Sequence, residues 1–102
     1  MRSEALDLAS QLLVSSEELV VRCRGLLRLL RALDIDIDRD DLLIFQLVDS
    51  EADSWPVGVD AEWLDSDYHR RCLAEMQAYS QAIWGEVSRG CRAVQALLSR
   101  PN

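Results

Sequence analysis

The chain has 102 residues, 49% of them hydrophobic and 28% charged, which fits one globular domain and excludes a disordered tail. Four glycines and two prolines are too few for a sandwich or barrel that turns every ten residues or so, and no apolar run approaches the ~18 residues of a membrane span. No membrane is therefore expected as a partner, and the formal net charge of −7 repels phosphate backbones, so no nucleic acid is expected either.

That charge is unevenly placed. Residues 34–67 hold twelve acids and one Arg, a balance of −11, and the remainder holds six acids and ten Arg, a balance of +4. Every basic residue except His69 is Arg. The opening Met1-Arg2-Ser3-Glu4-Ala5-Leu6-Asp7 carries acids where a signal peptide needs a basic and then an apolar segment. Cys23, Cys72 and Cys91 are widely spaced and odd in number, which suits reduced thiols on helix faces rather than a disulfide scaffold. A cytoplasmic location is therefore expected.

From Ser3 to Leu33 apolar residues recur at helical spacing (Leu6, Ala9, Leu12, Leu13, Leu19, Val20, Cys23, Leu26, Leu27, Leu30, Leu33), with the arginines largely off the stripe. Ser15-Ser16-Glu17-Glu18 reads as a capping box with Ser15 as N-cap, predicting a break there. The stripe keeps its phase across the break, so a continuous helix is the alternative. Asp34 to Asp41 is an acidic connector. The run Leu42 to Val48 is apolar on nearly every side and suits a buried strand or a buried helix. A helix over about Asp41 to Glu51, capped by Asp40 or Asp41, is preferred, because an isolated two-stranded ribbon is marginal in water.

Ala52 to Val59 reads as a loop around Pro56 and Gly58. From Asp60 or Ser66 to Ser99 the stripe returns in Tyr68, Cys72, Met76, Tyr79, Ile83, Val87, Cys91, Val94, Leu97 and Leu98, a long helix ended by Pro101. Gly85 and Gly90 weaken that helix unless they admit another helix closely. Trp84 is read as a core or helix–helix contact. The fold class is all-α: one domain, residues 1–102, a small bundle of three or four helices built on two long helices with a short helix and loop between them. A ten-residue helix spans only ~15 Å and makes a poor return strut. The two long helices are therefore expected as an antiparallel hairpin, with Cys23 level with the region of Cys72 rather than with Cys91.

The stretch Val48-Asp49-Ser50-Glu51-Ala52-Asp53-Ser54-Trp55-Pro56-Val57-Gly58, followed by Trp63 and a long helix, resembles a family of small bacterial proteins of unknown function. That family's centre reads roughly D-S-E-x-D-x-x-P-x-G and then Trp. The resemblance spans about Leu19 to Leu98 and implies a helical fold, with no activity attached.

Several constellations invite chemistry and fail on inspection. Asp34, Asp36, Asp38 and Asp40 echo a calcium loop, but Arg39 stands where a Gly must turn and Phe45 where a bidentate Glu closes the shell. Asp65, His69 and Cys72 share a helix face without the paired Cys/His spacing of a zinc site. His69 has no glycine-rich turn near any cysteine to build an oxyanion hole. No catalytic residue, metal or cofactor is expected. Asp49, Glu51 and Asp53 with Trp55 and Trp63 are the candidate binding residues, since interface centres are rich in Trp and their rims are polar. The alternative is that the tryptophans plug the bundle end while the acids cap helices. The expected function is non-enzymatic binding of another protein, one with a basic surface, in the manner of an adaptor, chaperone or immunity protein. Two alternatives stand beside it: a small-molecule- or metal-binding protein with its site near His69, and a structural homo-oligomer held by the long C-terminal helix.

Overall fold

Each helix carries one apolar face, and the way the chain reverses between them decides how those faces meet. The computed structural model describes residues 1–52 and 66–99. They form α1 (Arg2–Val14), α2 (Leu19–Ala32), α3 (Leu43–Glu51) and α4 (Ser66–Leu98), with no strand among the described residues. The all-α expectation holds, with four helices. The core is built from Ala5, Ala9 and Leu12 of α1, the wide stripe Leu19 to Leu30 of α2, Leu42, Phe45, Val48 and Ala52 around α3, and Val87, Cys91, Val94 and Leu98 of α4. These positions recur three or four apart, as an amphipathic helix requires.

The break at Ser15 is a full reversal, and it does not use the predicted capping box. Ser15 is the C-cap of α1, and its Oγ accepts the Glu17 N–H at 3.0 Å. Glu18, not Ser15, is the N-cap of α2, in a left-handed conformation with φ 53°. Arg22 closes the turn by donating to the Glu17 carbonyl at 3.1 Å. The expected stripe from Ser3 to Leu33 thus becomes two helices of 13 and 14 residues, and only α4, at 33 residues, is long.

That reversal overturns the antiparallel hairpin. Forward along α1, its partners on α4 fall in number: Gln95 donates to Ser10 Oγ at 3.4 Å, and Trp84 Nε1 donates to the Leu12 carbonyl at 2.6 Å. α1 is therefore antiparallel to α4. Forward along α3 the same fall occurs, from Gly90 beside Ile44 and Phe45 to Tyr79 beside Glu51. α2 is antiparallel to both α1 and α3, so it runs parallel to α4, and Cys23 lies close enough to Cys91 for their charges to interact. A nine-residue α3 suffices as the return strut because α2 itself rises only about 21 Å.

The ends of α2 and α3 explain the acidic connector. Asp34 takes a left-handed φ of 61°, its N–H donates to the Arg31 carbonyl, and the Ile35 N–H donates to the Leu30 carbonyl. This is a Schellman stop in which Asp fills the position usually held by Gly. Gln46 then pins the connector to α3, donating to the Ile37 carbonyl at 2.9 Å and to Asp38 Oδ1 at 2.8 Å. Neither Asp40 nor Asp41 caps α3. Its N-cap is Leu42, without a side-chain cap, and Asp41 is held instead by Arg39 at 3.0 Å.

α3 seats on α4 at Gly90. A Cβ built there would lie 2.8 Å from Ile44 Cγ2 and 3.0 Å from Phe45 Cζ, whereas one on Gly85 meets nothing within 4 Å. Gly85→Ala is expected to stabilise the protein by about 0.5–1 kcal/mol through helix propensity. Gly90→Ala is expected to lose stability overall, because overpacking costs about 1–3 kcal/mol. Urea midpoints of the two variants check this, and equal gains would mean that α3 does not seat at Gly90. At Asp34, Gly is expected to hold or raise the midpoint, while Val should lose about 1–2 kcal/mol in the left-handed conformation.

Candidate functional site

α3 and the connector before it carry the described part of the predicted binding surface. Asp49 faces α2, where its Oδ1 lies 3.0 Å from Arg24 Nε and its carbonyl accepts from Arg24 Nη2 at 3.3 Å. This pair ties α3 to α2, and its partial exposure limits it to about 0.2–1 kcal/mol. Glu51 is exposed at the end of α3 and accepts from the Tyr79 hydroxyl of α4. The structure therefore brings Asp49 and Glu51 to one end of α3 and engages both with the chain's own helices. Asp53, Trp55 and Trp63 lie outside the described residues. His69 lies on α4, with its side chain also outside them. Among the described residues, no three His, Cys, Asp or Glu side chains converge as metal ligands would.

The connector is a more open acidic surface. Asp34, Asp36, Asp38 and Asp40 are all exposed, and none forms an ion pair with another described residue. Asp36 Oδ1 accepts the Asp38 N–H at 3.1 Å, so part of the carboxylate array is organised by its own backbone.

Beside the connector, α3 exposes two large apolar side chains, Leu43 (43%) and Leu47 (44%). They border a shallow groove between α3 and α4 whose lining also includes Ile44 and Gly90, with Asp40, Asp41, Glu86 and Arg89 at its edges. Sequence reasoning missed this pair because the run from Leu42 to Val48 reads as apolar all round. The signal was there in the spacing: Leu42, Phe45 and Val48 make one face, and Leu43 and Leu47 fall off it. Trp84, by contrast, is the expected helix–helix contact, since its indole N–H satisfies the C-terminal Leu12 carbonyl of α1 that helix geometry leaves open. A second concavity lies where the α1–α2 turn and Val21 meet Leu73, Met76 and Ser80 of α4.

The thiols are placed for packing. Cys23, Cys72 and Cys91 are free and buried. Burial pushes the Cys91 thiol up to about 12. Burial first, and then the neighbouring Cys91, push Cys23 higher still. A thiol held protonated at neutral pH is a poor nucleophile, and both side chains lie in the core. The Tyr79 phenol is also raised, by burial and then by its hydrogen bond and charge contact with Glu51.

No described helix is long and apolar enough to cross a membrane. Comparison with known proteins returns no matching family model, no similar curated protein and no similar solved structure. The class is set by the fold alone: a small all-α bundle.

Groups whose folded pKa lies above the unfolded value stabilise the fold below the unfolded pKa and lose that contribution as pH rises toward the folded one. For Cys91 that window runs from the free-thiol value of 9.0 to about 12. Stability is expected to fall above about pH 9, by at most ~1.4 kcal/mol per pH unit for each such thiol. Urea denaturation at pH 8 and pH 10.5 checks this. The slope should flatten in Cys91→Ala, and an unchanged slope would place the loss in other groups.

Proposed function

We propose that the protein acts by binding another protein through its acidic segment, residues 34–67, and carries out no catalysis. The observation that carries this reading is the exposed set Asp34, Asp36, Asp38 and Asp40, without an ion pair among the described residues, lying next to the exposed Leu43 and Leu47. Interfaces combine an apolar centre with a polar rim, and the rim here selects a basic partner. Asp49 and Glu51 edge the same segment, where their first task is to hold α3 on its neighbours. Asp53, Trp55 and Trp63 complete the segment as the sequence presents it. Three free, buried cysteines support a reducing compartment, and the cytoplasm is the location proposed. An adaptor, a chaperone and an immunity protein all answer to this description.

A short fluorescent Arg-rich peptide serves as the basic probe, followed by anisotropy. Binding should weaken as salt rises, because exposed charges are screened beyond about 8 Å at physiological ionic strength. Asp36→Asn with Asp40→Asn keeps the hydrogen-bond acceptors and removes two charges, and is expected to weaken binding several-fold. Glu4→Gln with Asp7→Asn on α1 removes the same charge elsewhere. If the α1 pair weakens binding equally, attraction is general and the acidic segment is not the site.

A further inference from the structure

We propose that the groove between α3 and α4 takes a basic amphipathic helix of the partner protein, with its apolar face on Leu43 and Leu47 and its Arg or Lys side chains against Asp40 and Glu86. The inference rests on the protein-binding reading above and names the partner's chemistry.

The groove has the parts such a helix needs. Leu43 and Leu47 are one turn apart on α3, about 6 Å along its axis, and each is over two-fifths exposed while Phe45 and Val48 fill the opposite face. Ile44 and Gly90 line the same groove. A third helix laid along the seam of two others presents side chains at i, i+3 and i+4 to such a surface. Two apolar residues one turn apart match the two leucines.

Charge selects among occupants. α3 is antiparallel to α4 with Ile44 beside Gly90, so Asp40 and Asp41 close one end while Glu86 lies toward Leu47 at the other. Arg39 already pairs with Asp41, which leaves Asp40 and Glu86 as the lining carboxylates without an ion pair among the described residues, at opposite ends. Arg89 on the edge admits one acid on the partner. A cation about one turn beyond each end of the partner's apolar pair meets both carboxylates. An acidic helix sets like charges at both ends, which costs binding. A second copy of this chain brings the same acidic groove to a two-fold contact and meets the same repulsion. An anionic lipid surface is repelled for the same reason.

The test uses the whole chain and three labelled helical peptides of about 18 residues, all built to the helix-in-groove pattern. One has Leu one turn apart flanked by Arg, one has the same Leu face flanked by Glu, and one has the Arg peptide's residues scrambled. The Arg-flanked peptide is expected to bind at least tenfold tighter than the other two and to shift the amide resonances of Leu43, Ile44, Leu47 and Gly90. Leu43→Ser with Leu47→Ser should weaken it tenfold or more with an unchanged circular dichroism spectrum. Glu86→Arg, which leaves the apolar pair intact, should weaken the Arg peptide and strengthen the Glu peptide. Equal binding of the Arg and Glu peptides overturns the partner's basic chemistry. Binding that survives the leucine changes but falls with Asp36→Asn and Asp40→Asn overturns the groove and leaves the acidic reading standing. If neither pair of substitutions affects it, both fall. A concentration-dependent dimer abolished by Leu43→Ser and Leu47→Ser assigns the groove to a second copy instead.

Discussion

Glu18 holds a left-handed backbone in the turn between α1 and α2, a conformation that costs an L-residue about 1–2 kcal/mol. The turn persists because Leu12 on one side and Leu19 on the other are both buried, and because Ser15 and Arg22 satisfy its polar groups. This one constraint folds α1 back on α2 and gives α1 the antiparallel place beside α4. It also leaves α2 short enough for α3 to return the chain along it. Ala5 and Ala9, the small residues of the buried α1 face, then let α1 lie close to its neighbours, and the Trp84 indole ties it to α4.

α3 is the element that joins structure to function. Its inner face is fixed by Phe45 over Gly90 and by the Arg24–Asp49 pair. Its outer face carries Leu43 and Leu47 beside a connector of exposed carboxylates. A nine-residue helix is marginal alone in water, so its outward leucines are held in place by packing on the other side. The same contacts that keep α3 folded therefore present the surface proposed for the partner. Asp49 illustrates the overlap: a residue expected to bind a partner also ties α3 to Arg24 of α2.

Much of the bundle was legible in the chain because burial imposes a period. The stripe that marks α2 matches its buried positions almost one for one, the stripe of α4 marks its buried residues together with half-buried ones such as Met76, Tyr79, Ile83 and Leu97, and the helix over Asp41 to Glu51 was favoured over a strand for lack of a sheet to join. Misreadings came where one signal served two geometries. Ser15 followed by Glu18 suits a capping box, yet the same Ser hydroxyl closes a turn on Glu17, and local sequence does not choose between them. Asp40 and Asp41 look like N-caps, but Arg39 engages Asp41 and α3 starts at Leu43. The exposed leucines were hidden because a short run rich in Leu and Ile masks which side faces water.

By itself, the sequence determined the fold class and the concentration of negative charge between α2 and α4. These follow from residue type and spacing, which hydrophobic burial and Coulomb repulsion read directly. Only the tertiary structure decided that α2 runs parallel to α4, that Cys23 lies near enough to Cys91 for their charges to interact, that Asp49 pairs with Arg24, and that Leu43 and Leu47 face outward beside the acids. Those outcomes depend on how the chain reverses at Ser15–Glu18 and on which helix faces compete for one core, and helical periodicity is the same for either direction of a helix.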